Sequence, residues 1–217
     1  MRYQRFSPKR ALDLALALGG LVLLFPIFLI AAVWIKFDSV GPIFYRQERV
    51  GRGGVAFRIL KFRTMQPGAE DQGSLSTDDD VRVTRAGRFL RRHKLDELPQ
   101  LFNVVLGEMS LVGPRPEVRQ YFELYPPDVQ RAMVRFRPGV TGPGLLLLFS
   151  ESEILGRSAD PHQTYVSELI PIKAQCIMQY AMHNSILGDL RTIISTVRKV
   201  IHSLTFAIAN VLRRSAY

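Results

Sequence analysis

The chain has 217 residues and a net charge of +10, from 29 Lys and Arg against 19 Asp and Glu. That length excludes two large domains and suits one domain with a buried core and an appended membrane element, while the charge calls for nucleic acid, anionic lipid or a phosphorylated partner. One cysteine, Cys176, excludes an intrachain disulfide and fits a reducing, cytosolic setting, and four scattered His give no zinc spacing, so an oxygen-ligated ion such as magnesium is the metal left open.

From Leu14 to Ile35 no residue is charged, enough at about 1.5 Å per residue to cross a hydrocarbon layer of about 30 Å. Pro26 near the middle predicts a kink, and both flanks are basic: Arg2, Arg5, Lys9 and Arg10 before, Lys36, Arg46, Arg49 and Arg52 after. A kinked spanning helix and a re-entrant helix with both ends on the cytoplasmic face fit these residues about equally.

Ile43 to Arg49 and Ala56 to Phe62 read as two strands of a hairpin around Gly51-Arg52-Gly53-Gly54, with Phe57, Ile59, Lys61 and Arg63 alternating onto one face. Gln66 to Asp80 is polar and reads as a loop; Asp78-Asp79-Asp80 lacks the spacing of a calcium loop and is expected to be solvated. Thr84 should cap a basic helix through Arg85, Arg88, Arg91 and Arg92. It leads to Asp96-Glu97, placed before a helix that carries Leu98, Leu101, Phe102, Val105 and Leu106 at helical spacing and stops at Gly107.

Carboxylates at that end of a helix serve as caps in most proteins. Here they also adjoin the densest cationic stretch, and a helix N-terminus suits an anion. Met109 to Glu117 is too rich in proline for regular structure and should hold Arg115 in a stiff loop, suited to meeting a phosphate oxygen. A second turn-rich stretch, Arg137 to Gly144, precedes an apolar run from Leu145 to Phe149. Leu187, Leu190, Ile193, Ile194, Val197, Val200, Ile201, Leu204 and Ile208 then form the apolar stripe of an amphipathic C-terminal helix, with Arg191, Arg198 and Lys199 among its cations.

With these motifs assembled, the chain resembles the bacterial sugar transferases, the monotopic polyprenyl-phosphate phosphoglycosyl transferases, from about Ser7 to about Lys199. The resemblance rests on Lys9-Arg10-Ala11-Leu12-Asp13, Gly41 to Gly51, Phe57 to Met65, Leu95-Asp96-Glu97-Leu98-Pro99-Gln100-Leu101, Met109 to Pro116 and Arg137 to Gly142. It implies a helix-rich α+β fold: a re-entrant membrane helix over 1–37, a catalytic domain with a short hairpin over 38–200, and an amphipathic interfacial tail over 201–217. It also implies transfer of a sugar 1-phosphate from a UDP-sugar to undecaprenyl phosphate at the cytoplasmic face of the bacterial inner membrane, with release of UMP. In that family pattern Asp96 is the nucleophile that takes up the phosphosugar, and Glu97, with Asp96, meets Mg2+.

Lys61, Arg63, Arg88 and Arg115 are the expected phosphate-side cations, with Pro26 as the membrane kink. Tyr165, Lys173 and Asp189 match family positions without an assigned role. Phe25 stands where many members have Ser before the proline, Val81 replaces a common proline, and Pro143-Gly144-Leu145 follows Gly142 where most have a tryptophan-containing stretch, which bears on sugar preference. A monomer and a homodimer both fit. A catalytically idle scaffold of a polysaccharide assembly complex is the competing class, and the intact acidic pair argues against it. A nucleic-acid partner has no recognition motif in its favour.

Overall fold

The computed structural model describes residues 7–69, 80–142, 144 and 151–214, with 207–214 as backbone. Ser7 opens helix α1 (Pro8–Leu23), its hydroxyl accepting from the Arg10 amide, and α2 (Phe25–Asp38) follows after a single residue. The two helices meet at 59°. The break falls at Leu24, two residues before the predicted kink, because Pro26 has no N–H to continue the ladder and crowds the preceding turn. Among the described residues no single helix is long and apolar enough to cross a membrane, but this bent pair together meets the length and composition.

One side of the first two turns of α1 faces protein. The Lys9 ammonium donates to the Val112 carbonyl at 3.1 Å and pairs with Asp189 at 2.5 Å. Asp13, 3% exposed, accepts from the Ser110 hydroxyl at 2.8 Å and the Leu111 amide at 3.1 Å. Arg10 donates to the carbonyls of Val104 and Val105, the last turn of the helix before Gly107, where the dipole favours a cation. The motif that begins the chain's family resemblance is thus a polar clasp for the apolar pair. Farther along, Val22, Leu23, Phe25, Leu29, Ile30 and Phe37 are exposed.

Strands β1 (Phe44–Val50) and β2 (Ala56–Phe62) form the expected antiparallel hairpin, Phe44 opposite Phe62 and Val50 opposite Ala56. Helix α3 (Arg85–Arg92) is capped by Thr84, whose hydroxyl accepts from the Gly87 amide at 2.9 Å. A 3-10 turn (Leu95–Glu97) then delivers the acidic pair, and α4 (Gln100–Leu106) ends at Gly107 with φ 88°. The proline-rich stretch is more regular than expected: β3 (Ser110–Val112) pairs in parallel with β4 (Gly139–Thr141). The two turn-rich segments therefore brace one another, the Gly139 amide donating to Pro114 and the Gly113 amide to Thr141.

Between these strands lie α5 (Arg119–Phe122) and α6 (Pro127–Arg135), and after them α7 (Glu151–Gly156), α8 (Pro161–Thr164), a π turn (Tyr165–Leu169) and α9 (Ile170–His183). Helix α10 (Ile186–Arg214) runs on without a break at residue 200. Thr196 meets Thr141 at 2.7 Å and Ser203 meets His93 at 2.8 Å, so this helix straps the β3–β4 ladder and the end of α3. One apolar cluster joins Tyr121, Tyr125, Val129 and Leu169; a second joins α1 to β2 and α4 through Ala17, Ile59 and Val104. A third packs α2 on α3 through Ala31, Ile35, Phe62 and Leu90. Asp78, Asp79 and the Leu145–Phe149 run lie outside the described residues, whereas Asp80 is not solvated as expected: its carboxylate accepts from the Arg82 guanidinium at 2.6 Å.

The packing of α3 on the exit from β2 leaves no room at Gly87, where an added Cβ would sit 2.0 Å from the Thr64 carbonyl oxygen. Gly87→Ala is expected to lower stability by roughly 1–3 kcal/mol despite the better helix former. Gly19→Ala, where nothing lies within 4 Å, should leave it equal or higher. Thermal unfolding in detergent, followed by circular dichroism, compares the two.

Candidate active site

Asp96 and Glu97 are 7% and 8% exposed, so each carboxylate has lost most of its water. The fold compensates them unequally. Glu97 accepts from the Lys61 ammonium at 2.9 Å and from both terminal nitrogens of Arg115, at 2.5 Å and 3.1 Å. Burial alone would push Glu97 up, but Arg115 and then Lys61 override it and hold the carboxyl well below the usual range. Asp96 moves the other way: burial pushes it up, Lys61 pulls against that, and the charge on Glu97 adds to the rise. Its Oδ1 is buried with no hydrogen-bond partner among the described residues, as are both amide atoms of Gln100 four residues on.

Three local devices produce this geometry. Lys94 adopts a left-handed conformation, φ 56°, the one positive φ at a non-glycine among the described residues, and turns the chain from α3 into the 3-10 turn. The alternation of β2 sends Lys61 inward beside the pair. The β3–β4 ladder fixes the Pro114-Arg115-Pro116 loop from which the guanidinium reaches Glu97.

The pair lines a cavity of about 390 Å³ that also takes in Arg91, Lys94, Arg49, Tyr45 and, farther in, Tyr165 and Lys173. Of the four expected cations, Lys61 and Arg115 meet at Glu97. Arg63 also lines the cavity, yet its guanidinium is spent on the end of α2, donating to the carbonyls of Ser39 at 2.8 Å and Val40 at 2.5 Å. Arg88 does not line it and is exposed on the outer side of α3. Arg91 and Lys94, three and six residues beyond Arg88, face the site instead.

Sequence reasoning missed Arg49 and Glu117, the centre of a buried network on the cavity wall. Glu117, 4% exposed, accepts from the Tyr165 hydroxyl at 2.9 Å, the Tyr125 hydroxyl at 3.3 Å and the Lys173 ammonium at 3.2 Å, with Arg49 at 3.7 Å. Lys173 also bonds Glu151 at 3.1 Å. Tyr165 and Lys173 thereby acquire a place, holding a buried carboxylate, and Asp189 acquires one at Lys9.

Among the described residues no three His, Cys, Asp or Glu side chains converge as a ready-made metal cage. Asp96 Oδ1 and the less occupied Oε2 of Glu97 are nonetheless hard oxygen donors, a set that suits magnesium when phosphate and water supply the remaining ligands.

A buried carboxylate with one unpartnered oxygen, bordered by a second carboxylate fixed between two cations, is an arrangement chemically able to meet an anionic group and to offer an oxygen as nucleophile or metal ligand. The sequence model of the bacterial sugar transferases matches residues 3–203, and the chain belongs to that family. It is 36% identical over 196 residues to the UDP-N-acetylgalactosamine-undecaprenyl-phosphate N-acetylgalactosaminephosphotransferase of Aeromonas hydrophila, covering 89% of this chain and 43% of that one. The exopolysaccharide production protein ExoY of Rhizobium meliloti is 34% identical over 208 residues, 88% of this chain and 84% of its own. The UDP-glucose:undecaprenyl-phosphate glucose-1-phosphate transferase of Xanthomonas campestris is 46% identical over 135 residues, 60% of this chain and 28% of its own. The chain thus spans less than half of two of these three relatives.

The Glu117 network makes a pH prediction. Burial would raise this carboxyl, but Lys173 and Arg49 hold it below the ordinary value. A depressed folded value means that the contribution to stability is complete above the unfolded value of about 4.3 and disappears as pH falls through the lower folded value. Glu117→Gln should cost roughly 3 kcal/mol near neutral pH. Urea unfolding in detergent at a series of pH values should show wild type and variant converging on the acid side; a gap independent of pH would contradict the charge pairing.

Proposed function

We propose that the protein is a membrane-bound phosphoglycosyl transferase that moves a sugar 1-phosphate from a UDP-sugar to undecaprenyl phosphate, beginning glycan assembly at the cytoplasmic face of the inner membrane. The observation that carries this reading is the unequal treatment of the two carboxylates: Glu97 is saturated by Lys61 and Arg115, whereas Asp96 keeps a buried oxygen without a partner. The names of the relatives suggest the substrate classes, and the bent apolar pair clasped at Lys9, Arg10 and Asp13 has the length and composition expected of a membrane anchor.

In the proposed first step an Asp96 oxygen attacks the sugar-bearing phosphorus of the donor. The bond from that phosphorus to the bridging oxygen breaks, UMP leaves with the electron pair, and the phosphosugar stays on Asp96. In the second step an oxygen of undecaprenyl phosphate attacks the same phosphorus and frees the carboxylate. Burial that raises the basicity of Asp96 also raises its nucleophilicity once it is ionised. Lys61 has used one of its three donors on Glu97 and Arg115 two of its five, so both retain N–H groups for phosphate oxygens. Mg2+, held by Asp96 and Glu97 in this proposal, would neutralise diphosphate charge. A re-entrant path for α1 and α2 keeps both clasped ends on one face, which agrees with the protein-facing start of α1.

Detergent-extracted protein supplied with magnesium, undecaprenyl phosphate and a panel of UDP-sugars should release UMP. Asp96→Asn should lower that release by about a thousandfold or more. Undiminished release from the variant would remove Asp96 from the mechanism, and no release with any sugar would remove the activity. Without acceptor, label from the sugar-bearing phosphate should stay on Asp96; label on Glu97 would reverse the two roles. Arg115→Ala should reduce kcat/KM by about a hundredfold, as expected for a lost charge-assisted contact, whereas Arg63→Ala should chiefly lower the unfolding temperature.

A further inference from the structure

Helix α3 contains no acidic residue, and its burial divides it cleanly: Ala86, Gly87 and Leu90 face the protein, and Arg85, Arg88, Phe89 and Arg92 face outward. The three arginines stand at i, i+3 and i+7, one stripe of a helix. None of their guanidinium groups makes a hydrogen bond or ion pair with another described residue, unlike those of Arg10, Arg63 or Arg115. The stripe is not part of the active-site cavity.

Its position is set by contacts to the apolar pair. The Phe89 ring lies 5.3 Å from the Trp34 ring of α2, and both are part-exposed, at 37% and 39%. At the start of α3 the Ala86 amide donates to Asp38, the last residue of α2, at 2.8 Å. Beside this junction Phe37 and Val40 are each 89% exposed. The cationic stripe is therefore continuous with the exposed apolar surface of the anchor, across an indole–phenyl pair. Aromatic rings flanked by cations at the end of an apolar helix match the headgroup layer, where each nearby Lys or Arg favours anionic lipid.

We infer that Arg85, Arg88 and Arg92 form a docking face for anionic phospholipid headgroups, with Trp34 and Phe89 as its interfacial wedge. The inference rests on the proposed membrane placement of α1 and α2. Multidentate Arg–phosphate bonds suit such a face, and the headgroups would hold α3 at a fixed depth, and with it the 3-10 turn that carries Asp96.

Trp34 is the only tryptophan in the chain and so reports on this junction. The full chain is reconstituted in nanodiscs of phosphatidylcholine and phosphatidylglycerol, with one or the other lipid brominated on its acyl chains. Brominated phosphatidylglycerol should quench Trp34 at least about twofold more strongly per mole, with the preference fading as salt is raised. The R85Q/R88Q/R92Q variant should lose the preference and keep its quenching by brominated phosphatidylcholine; Arg88→Gln alone should weaken the preference if the triple variant does not fold. Equal quenching by the two lipids in the wild-type protein, or an undiminished preference in the folded triple variant, would overturn the inference. Quenching by neither lipid would overturn the membrane placement itself.

Discussion

Two adjacent carboxylates buried at 7% and 8% exposure are the constraint around which the chain is organised. Removing a carboxylate from water costs several kcal/mol unless charge and hydrogen bonds replace the lost hydration, and here two must be replaced side by side. Three segments distant in sequence meet to do so. Strand β2 contributes Lys61, the proline-braced loop contributes Arg115, and the turn after Lys94 contributes the pair. The compensation stops short at Asp96 Oδ1, and that shortfall is what gives the site chemical potential.

The same strand ties the site to the bent helix pair. Lys61 and Arg63 are successive residues on one side of the β2 alternation, and Arg63 closes the C-terminal end of α2 through the carbonyls of Ser39 and Val40. A shift of α2 would therefore act on the strand two residues from a cation bound to Glu97. At the other end, Lys9, Arg10 and Asp13 fasten α1 to β3, α4 and α10. Charged groups at the start of an otherwise apolar helix are costly to bury unpaired, and each of these three is paired with protein.

Much of this frame was legible in the sequence. The hairpin followed from alternation, the start of α3 from Thr84 and the end of α4 from Gly107, because each is a local rule acting on neighbouring residues. The bend was legible too, though Pro26 acts on the turn before it, and so the break sits at Leu24. Glu117 was not legible. Its partners Tyr165 and Lys173 lie 48 and 56 residues away, and no periodicity within either segment reveals such a pairing. The short parallel ladder of β3 and β4 was hidden for the same reason, since prolines that exclude long strands still permit three-residue ones.

The arginines show why residue type alone could not sort the candidate site. Arg10 donates to the last carbonyls of α4 and Arg63 to those just past the end of α2, positions where the helix dipole favours a cation. Arg115 meets a carboxylate bidentately, and Arg88 faces outward. All sit in basic, motif-rich sequence, and what separates them is the face each element buries. In α3 the distinction is one of angle: Arg88 shares the outward stripe with Arg85 and Arg92, whereas Arg91, about 100° round the helix from Arg92, lines the cavity. The net charge of +10 is accordingly not one electrostatic surface. Part of it is consumed in holding helices, part in stabilising the acidic pair, and part stands on α3 beside the apolar helix pair. A duplex of nucleic acid is met best by charge spread along one continuous face, whereas among the described residues these cations are divided among separate places.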